Sequence, residues 1–285
     1  MPRTRQLIVS ADDFGMSPGV NAGVLRAHQD GILTETSLMV AGNAAAEAVA
    51  CALRTPSLGV GLHLVLVQGR STLPPYSVPS LVDGNGMLPM NPVQAGIRYF
   101  FARPLREQVR REVIAQLDRF ASSGLPLSHV DGHLTIHMHP VVLDILCEIA
   151  PRYDLRSVRL PLEPLRHSLF FDSRFLGRKL GEGLIFSVLS RYARARLARC
   201  GIRHPRRMYG IHQTGHVTEE YLLHLLPRLQ PGVTEIYCHP GVTDAEIRKW
   251  TPGYDRDREL VALTSPRVRE AIERHGIELV RYRDL

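Results

Sequence analysis

The sequence predicts an α/β fold built on a parallel sheet, and its strand count favours a single (β/α) barrel. Short apolar runs alternate with helical stretches for about eight rounds, which is typical of this class. Most runs are nearly continuous in Val, Ile and Leu, as expected for strands covered on both faces. The length of 285 residues suits one barrel domain spanning residues 1–285.

The predicted strands are apolar runs that end in polar or turn-forming residues. They cover residues 6–12, 36–42, 59–66, 127–133, 156–161, 207–212, 234–240 and 277–282. A doubly wound open sheet is the alternative, but no glycine-rich dinucleotide-binding loop follows any of these runs.

Two helices can be placed from local signals. The first begins at Pro18, because Ser17 is a favourable N-cap and proline suits the first helical position, and it stops at Gly31. The second covers residues 105–121 and is amphipathic. Its apolar face consists of Leu105, Val109, Val113, Leu117 and Phe120.

Two segments interrupt the alternation of strands and helices. Residues 67–98 are rich in Pro and Gly and are predicted to form a long loop, which in a barrel shapes the substrate mouth. Residues 162–206 are predicted to form a basic helical insertion. Because residues 166–207 carry eleven Lys or Arg against Asp172 and Glu182, the net charge of +7 originates in this region.

Composition excludes several classes of protein. No run of about 18 apolar residues is present, so no membrane-spanning helix is expected. The cysteines at 51, 147, 200 and 238 are scattered, which argues against a disulfide framework and a cysteine zinc site. The first predicted strand starts within a few residues of Met1 and leaves no room for a signal peptide. We therefore expect a cytoplasmic protein.

Carboxylates and imidazoles gather where the predicted strands end. Asp12 and Asp13 close the first strand, and such a like-charged pair needs a compensating cation or a shared proton. The other members of the set are His63, His129, Asp131, His133, His212 and His239. Because the carboxyl ends of barrel strands share one rim, we expect several of these side chains to converge there.

One carboxylate and two imidazoles form a common open site for a hydrolytic divalent ion. We expect one aspartate of the pair to bind the ion and the other to act on a water. His63 is one candidate imidazole, and the spacing leaves the second open among His129, His133 and His137. The alternative interpretation is that the two carboxylates cap the helix that follows Ser17.

Four segments carry a family resemblance. "SADDFGMS", "GLHLVL", "HVDGHLTIHMHP" and "YCHPG" occur in this order and together resemble the YdjC-type carbohydrate deacetylases, relatives of the polysaccharide deacetylases with a distorted TIM-like barrel. The similarity runs from residue 7 nearly to the C-terminus. The closing segment "IHQTGHVTEEYLLHLLPRLQPGVTEIYCHPG" is similar to the branch associated with hopanoid biosynthesis. That branch implies removal of an acetyl group from an N-acetylglucosaminyl hopanoid, which leaves a free amine.

The resemblance also implies roles for individual residues. Asp13, His63 and His133 are the implied ligands of one divalent ion, and Asp12 is the implied general base. Zn²⁺ and Mg²⁺ are the first candidates, while Co²⁺, Ni²⁺ and Mn²⁺ are also compatible with these ligands.

The chain departs from the family pattern at Thr135, where a further histidine is frequent. This departure directs attention to His137 and His239, and we select His239 as the general acid that protonates the leaving amine. Substrate-binding roles are assigned to His137, Arg159 and His212.

The basic insertion mixes its positive charges with aromatic and aliphatic residues, a composition that favours the interface of an anionic bilayer. We expect peripheral contact with the inner membrane leaflet, which would bring the enzyme to a lipid-linked N-acetylated sugar. The alternative is a solvated helical hairpin or a homodimer contact. Nucleic acid is not expected as a partner, because the sequence contains no recognised binding module.

Three other functions fit parts of the sequence. A deacetylase of soluble chitooligosaccharides would use the same site on a small-molecule sugar. A non-catalytic metal-binding barrel is disfavoured because a site that only retains a metal needs Asp13 but does not need Asp12 as well. A phosphoesterase is disfavoured because such sites usually use two metals and more carboxylates.

Overall fold

The structure, a computed structural model, describes residues 4–163 and 189–285. Within these residues, seven parallel strands form one sheet with the order β4-β3-β2-β1-β6-β5, and β7 pairs with β1. The strands are β1 Arg5–Phe14, β2 Glu35–Leu38, β3 Gly59–Leu64, β4 Val130–Gly132, β5 Arg207–Tyr209, β6 Gly232–Cys238 and β7 Ile277–Leu279. All of these strands had been predicted from apolar runs, although several are shorter than predicted.

Strand β1 is the centre of the sheet. It pairs with β6 from Arg5 to Ala11, while its other edge pairs first with β7 and then with β2. Its side chains from Leu7 onward are buried, as the continuous apolar run predicted for a strand covered on both faces.

The prediction of a strand over residues 156–161 is wrong, because this segment does not form a regular strand. Only isolated bridges are present there, from Val158 to Val130 and from Ser157 to Arg203. The segment nevertheless connects the two edges of the sheet, because Arg159 N donates to Val130 O at 3.0 Å and Met208 N donates to Leu162 O at 3.1 Å. The curled sheet with this irregular closure is a distorted TIM-like barrel, which confirms the predicted fold class. The assignment of residues 1–285 to a single domain stays a prediction.

Helices surround the sheet. They are α1 Pro18–Gln29, α2 Ala45–Leu53, α3 Pro92–Phe101, α4 Arg103–Ala121, α5 Pro140–Ile149, α6 over residues 189–199, α7 Glu219–Leu225, α8 Ala245–Trp250, α9 Arg256–Leu263 and α10 Pro266–Arg274. Helix α1 begins as predicted, with the Ser17 hydroxyl accepting from Val20 N. The predicted apolar face of α4 is buried. In the described ranges, no helix combines the length and apolarity that crossing a bilayer requires.

The long loop after β3 is shorter than predicted. Its last part is helical, since Asn91 caps α3 by accepting from Val93 N and Gln94 N, and Pro92 occupies the first helical turn. The remaining loop contains one short 3₁₀ turn, Pro75–Ser77, and an antiparallel bridge between Arg70 and Met87.

The basic insertion lies mostly outside the described residues, and the predicted membrane-facing part at 164–188 is among those not described. Its described end, α6, packs on the barrel through buried Ala193 and Leu197. Tyr192 donates to Asp144 of α5 at 3.0 Å, and Arg196 donates to the same carboxylate at 2.6 Å. This end is therefore an ordinary packed helix.

Candidate active site

A β-bulge in β1 places Asp12 and Asp13 on the same side of the barrel. Ala11 pairs with Thr36 of β2 and Phe14 pairs with Leu38, so two β1 residues oppose a single residue of β2. Successive side chains of a regular strand point to opposite faces, whereas a bulge redirects one of them. Asp13 accordingly has a positive φ of 68°, a strained conformation that aspartate tolerates better than most residues.

Asp13, His63 and His133 form a cluster at the carboxyl ends of β1, β3 and β4. Asp13 Oδ1 lies 3.4 Å from His63 Nε2 and 3.3 Å from His133 Nδ1. One ligand atom from each residue lies within 4.8 Å of the others, a spacing that can hold a metal ion. Asp13 and His63 are buried, while His133 keeps 14% of its side chain exposed toward solvent.

Unpartnered buried atoms indicate that this cluster fits a cation. Asp13 Oδ1 and His63 Nε2 have no hydrogen-bond partner within the described part of the chain. A buried polar atom without a partner is costly, so such atoms mark a missing ligand. Because one carboxylate and two imidazoles suit Zn²⁺ and related divalent ions, the donor set fits a divalent ion without selecting one.

Asp131 orients His63 from the neighbouring strand. His63 Nδ1 donates to Asp131 Oδ1 at 2.8 Å, and Ser37 donates to Asp131 Oδ2 at 2.9 Å. Although burial lowers the pKa of His63, the charge and hydrogen bond of Asp131 and the nearby Asp13 carboxylate raise it to about 10 in the metal-free protein. Sequence reasoning placed Asp131 at a strand end but assigned it no role.

Asp12 is held by Arg159. Arg159 Nη1 lies 2.8 Å from Asp12 Oδ2 and 2.7 Å from Asp131 Oδ2, and its other nitrogens donate to Glu235 and Ser10 at 2.9 Å. Asp12 Oδ1 has no hydrogen-bond partner in the described ranges. Burial raises the pKa of Asp12 to about 6, against the opposing charge of Arg159.

These contacts bear on the predicted substrate-binding role of Arg159. Its side chain is only 4% exposed, and every nitrogen of the guanidinium is within hydrogen-bond distance of a carboxylate or hydroxyl of the barrel interior. A positioning role toward Asp12 and Asp131 is therefore favoured over direct contact with substrate.

Arg256 of α9 anchors the other aspartate, a contact that sequence reasoning missed. Its guanidinium donates to Asp13 Oδ2 and is fully buried, so the oxygen of Asp13 that faces the histidines is left free. Burial raises the pKa of Asp13, but Arg256 and the two histidines hold it well below its usual value. No local motif around Arg256 indicates this contact.

His239 lies beside the cluster on the loop after β6. Its ring contacts the rings of Tyr237 and Tyr254, with centroids 5.2 Å and 4.8 Å away, and its backbone N–H donates to Glu259. Its Nδ1 has no hydrogen-bond partner among the residues described. Burial holds the pKa of His239 well below its usual value, although the charge of Asp13 opposes the shift. The resting imidazole is therefore neutral.

The remaining predicted histidines do not join the cluster. His129 stacks on Tyr282 with centroids 4.0 Å apart and lies 3.6 Å from Glu35, inside the barrel. His137 is buried with Nε2 3.0 Å from Arg159 O, and burial lowers its pKa to about 4. His212 lies in the 3₁₀ turn after β5, where its backbone N–H donates to Glu163 at 3.3 Å. The sequence left the second imidazole open among His129, His133 and His137, and of these three His133 is the one that lies beside Asp13.

A cavity of about 530 Å³ opens beside the cluster and includes His133 in its wall. Its apolar wall includes Met16, Met39, Val65, Met87, Leu134, Trp250 and Tyr254, and its polar wall includes Asn43, Gln68, Arg70, Gln116, Glu246 and Lys249. The volume is in the range of small-molecule sites. Gln68, Arg70 and Met87 come from the loop after β3, so this loop forms part of the cavity wall.

Known proteins resemble the chain over nearly its whole length. The model of a family described as YdjC-like protein matches residues 6–274. A carbohydrate deacetylase of Geobacillus stearothermophilus is 34% identical over 98% of both chains, and one of Brevibacillus brevis is 32% identical over 98% of this chain and 99% of its own. A solved structure from Enterococcus faecalis, described as a candidate cellobiose-phosphate cleavage protein, superposes with a TM-score of 0.76 at 30% identity, covering 99% of this chain and 98% of its own.

Proposed function

This chain belongs to the YdjC-like protein family, and we propose that it is a metal-dependent N-deacetylase of an N-acetylglucosaminyl group. Its extended similarity to carbohydrate deacetylases makes it a hydrolase of that class. The metal dependence, the acceptor and the roles of single residues are proposals.

The observation that carries the proposal is the meeting of Asp13, His63 and His133, with Asp12 beside His63 and with His133 in the wall of the cavity. The three residues would hold one divalent ion, and two of the ligand atoms, Asp13 Oδ1 and His63 Nε2, otherwise lack hydrogen-bond partners among the described residues. When bound, such an ion supplies Lewis-acid polarisation of a carbonyl oxygen and lowers the pKa of a water. Zn²⁺ and Mg²⁺ remain the proposed candidates.

Asp12 is the proposed general base. Its free Oδ1 accepts a proton from the attacking water, while Arg159 holds Oδ2 in a fixed orientation. A pKa of about 6 leaves the carboxylate ionised at neutral pH and makes it a stronger base than an exposed aspartate. Arg159 acts as a positioning residue because its contacts are to Asp12 and Asp131 rather than to the cavity.

His239 is the proposed donor of the proton to the departing amine. Because its imidazole is neutral at rest, it must gain a proton before it can donate one. The water that attacks releases a proton to Asp12, and transfer of a proton onward through His239 to the nitrogen would balance the reaction. Hydrolysis then yields acetate and a free amine.

The acceptor is proposed to be lipid-linked, as in the hopanoid-associated branch that the closing segment resembles. The cavity supports this choice because three methionines and Trp250 line it, which suits an apolar aglycone next to a sugar. A soluble chitooligosaccharide is the second candidate, favoured by the polar side of the same cavity. The cytoplasmic location, contact of the insertion with the inner leaflet and homodimerisation stay predictions.

Acetate release tests the function. The protein is treated with a chelator, reloaded with Zn²⁺ or Mg²⁺, and assayed on an N-acetylglucosaminyl glycolipid and on N,N′-diacetylchitobiose, the soluble acetylated disaccharide that is called chitobiose below. Release that returns with metal and is faster on the glycolipid supports the full proposal, whereas faster release from chitobiose supports the soluble acceptor. Metal binding without release from either would indicate a non-catalytic barrel.

A further inference from the structure

Helix α3 has two apolar faces, and one of them is exposed. Ala95 and Tyr99 are buried against the barrel. On the opposite side the exposed fractions are 69% for Val93, 55% for Ile97, 43% for Phe100 and 75% for Phe101. These four residues, termed the α3 outer face, fall on one stripe of the helix. A helix that is apolar all round is normally covered, and an exposed apolar patch marks an interaction site.

The α3 outer face lies at the same rim as the cavity. Tyr99 donates its hydroxyl to Leu66 O at 2.6 Å, just after β3, and His139 Nε2 lies 3.0 Å from Gly96 O at the start of α5. Both anchors follow the carboxyl ends of strands. The loop that lines the cavity also runs directly into α3. The helix is thus fixed to the barrel beside the cavity mouth.

The surroundings of this face are cationic. Arg98, Arg103 and Arg106 flank it, and residues 85–106 contain no Asp or Glu. Arg98 donates to Ser80 O at 2.9 Å, and Arg106 donates to Phe100 O, so these two guanidinium groups are held by neutral carbonyls. Within the described ranges, none of the three arginines has an ion pair with a carboxylate.

We propose that the α3 outer face docks on an anionic membrane surface and turns the cavity mouth toward the lipid. Apolar side chains flanked by unneutralised arginines match the acyl boundary and the anionic headgroups of such a surface. A second copy of the chain fits less well, because a two-fold contact would bring the same arginines of both copies together. The docking goes beyond the proposed function and requires no turnover.

Vesicle co-sedimentation tests the docking with the full chain. Wild type is expected to bind vesicles of phosphatidylcholine and phosphatidylglycerol, to bind phosphatidylcholine alone poorly, and to dissociate as salt is raised. The double variant I97S/F101S should bind the anionic vesicles about tenfold or more weakly. Val261→Ser is the matched control, since Val261 is 64% exposed on α9, and it should bind like wild type. Arg103→Gln should weaken binding severalfold without removing an apolar side chain.

Two outcomes would overturn the proposal. One is that I97S/F101S binds anionic vesicles as tightly as wild type does, which would assign the membrane contact to another surface. The other is that wild type does not bind anionic vesicles but sediments as a dimer, whereas I97S/F101S sediments as a monomer. That result would make the face a contact between two copies. Acetate release from chitobiose and far-UV circular dichroism check that the variants are folded. A wild type that binds vesicles but releases no acetate would refute the proposed function and leave the docking intact.

Discussion

The Nδ1 atom of His63 lies 2.8 Å from Oδ1 of Asp131, so the imidazole donates its proton on that side. Its other nitrogen is thereby fixed toward Asp13, where it can bind a cation once it has lost its own proton. A carboxylate behind a metal-binding histidine sets its tautomer and orientation. We therefore expect Asp131→Asn to weaken Zn²⁺ binding about 10–100-fold, measured by competition with a chelating dye. Asp118→Asn, which alters an exposed carboxylate, is the control, and equal affinity of the two variants would refute the role of Asp131.

Metal binding should release a proton near neutral pH. The pKa of His63 is raised to about 10 in the metal-free protein, so its imidazole is protonated there, and a ligand nitrogen must lose that proton. Below this pKa the metal affinity should increase about tenfold for each unit of rising pH. Calorimetric titration with Zn²⁺ in two buffers of different ionisation enthalpy measures the proton count. Heats that do not depend on the buffer would contradict the prediction.

Substitution of Asp12 and substitution of the proposed metal ligand His133 should have different effects. Asp12→Asn is expected to retain the ion and to lose about 10²–10⁴-fold in kcat, because only the base is removed. His133→Ala is expected to lose the ion and the activity together. Metal content by plasma mass spectrometry, paired with acetate release, distinguishes the two results. Full activity in either variant would refute the role proposed for the substituted residue.

The rate should fall on the acidic side as Asp12 is protonated. Burial raises the pKa of Asp12 to about 6 in the metal-free protein, and a bound cation would lower it. We expect kcat/KM to be constant above about pH 6 and to decrease about tenfold per unit below the pKa of the loaded enzyme. The residual activity of Asp12→Asn should lack this decrease. If kcat/KM of that variant still decreases at low pH in the same way, the decrease belongs to the titration of another group.

His239 should matter most when the leaving group is poor. An amine must be protonated as it departs, whereas a phenolate leaves without assistance. His239→Ala is therefore expected to reduce acetamide hydrolysis about 10²–10⁴-fold and to change hydrolysis of an aryl acetate ester much less. Both rates are measured on the metal-loaded protein. An equal loss on the two substrates would indicate that His239 positions the site instead of donating a proton.

The fold class and the main cluster were predictable from local sequence. Apolar runs, most of them nearly continuous, identified all seven described strands, because burial on both faces leaves a signal in consecutive residues. The carboxyl ends of parallel strands meet at one rim, so the sequence alone placed Asp13, His63 and His133 in one candidate set. The choice of His133 over His129 and His137 came from the family resemblance, and the structure places only His133 of these three beside Asp13.

Tertiary structure alone decided how that cluster is supported. The bulge that turns Asp12 and Asp13 to one side depends on the pairing of β1 with β2, which no single segment specifies. Arg256 reaches Asp13 from a helix more than two hundred residues along the chain, and Arg159 joins Asp12 to Asp131 across the barrel. These contacts, and the pKa shifts that burial imposes, arise from packing between distant segments. Sequence patterns record which residues each segment buries, whereas partners and local dielectric are set when the segments meet.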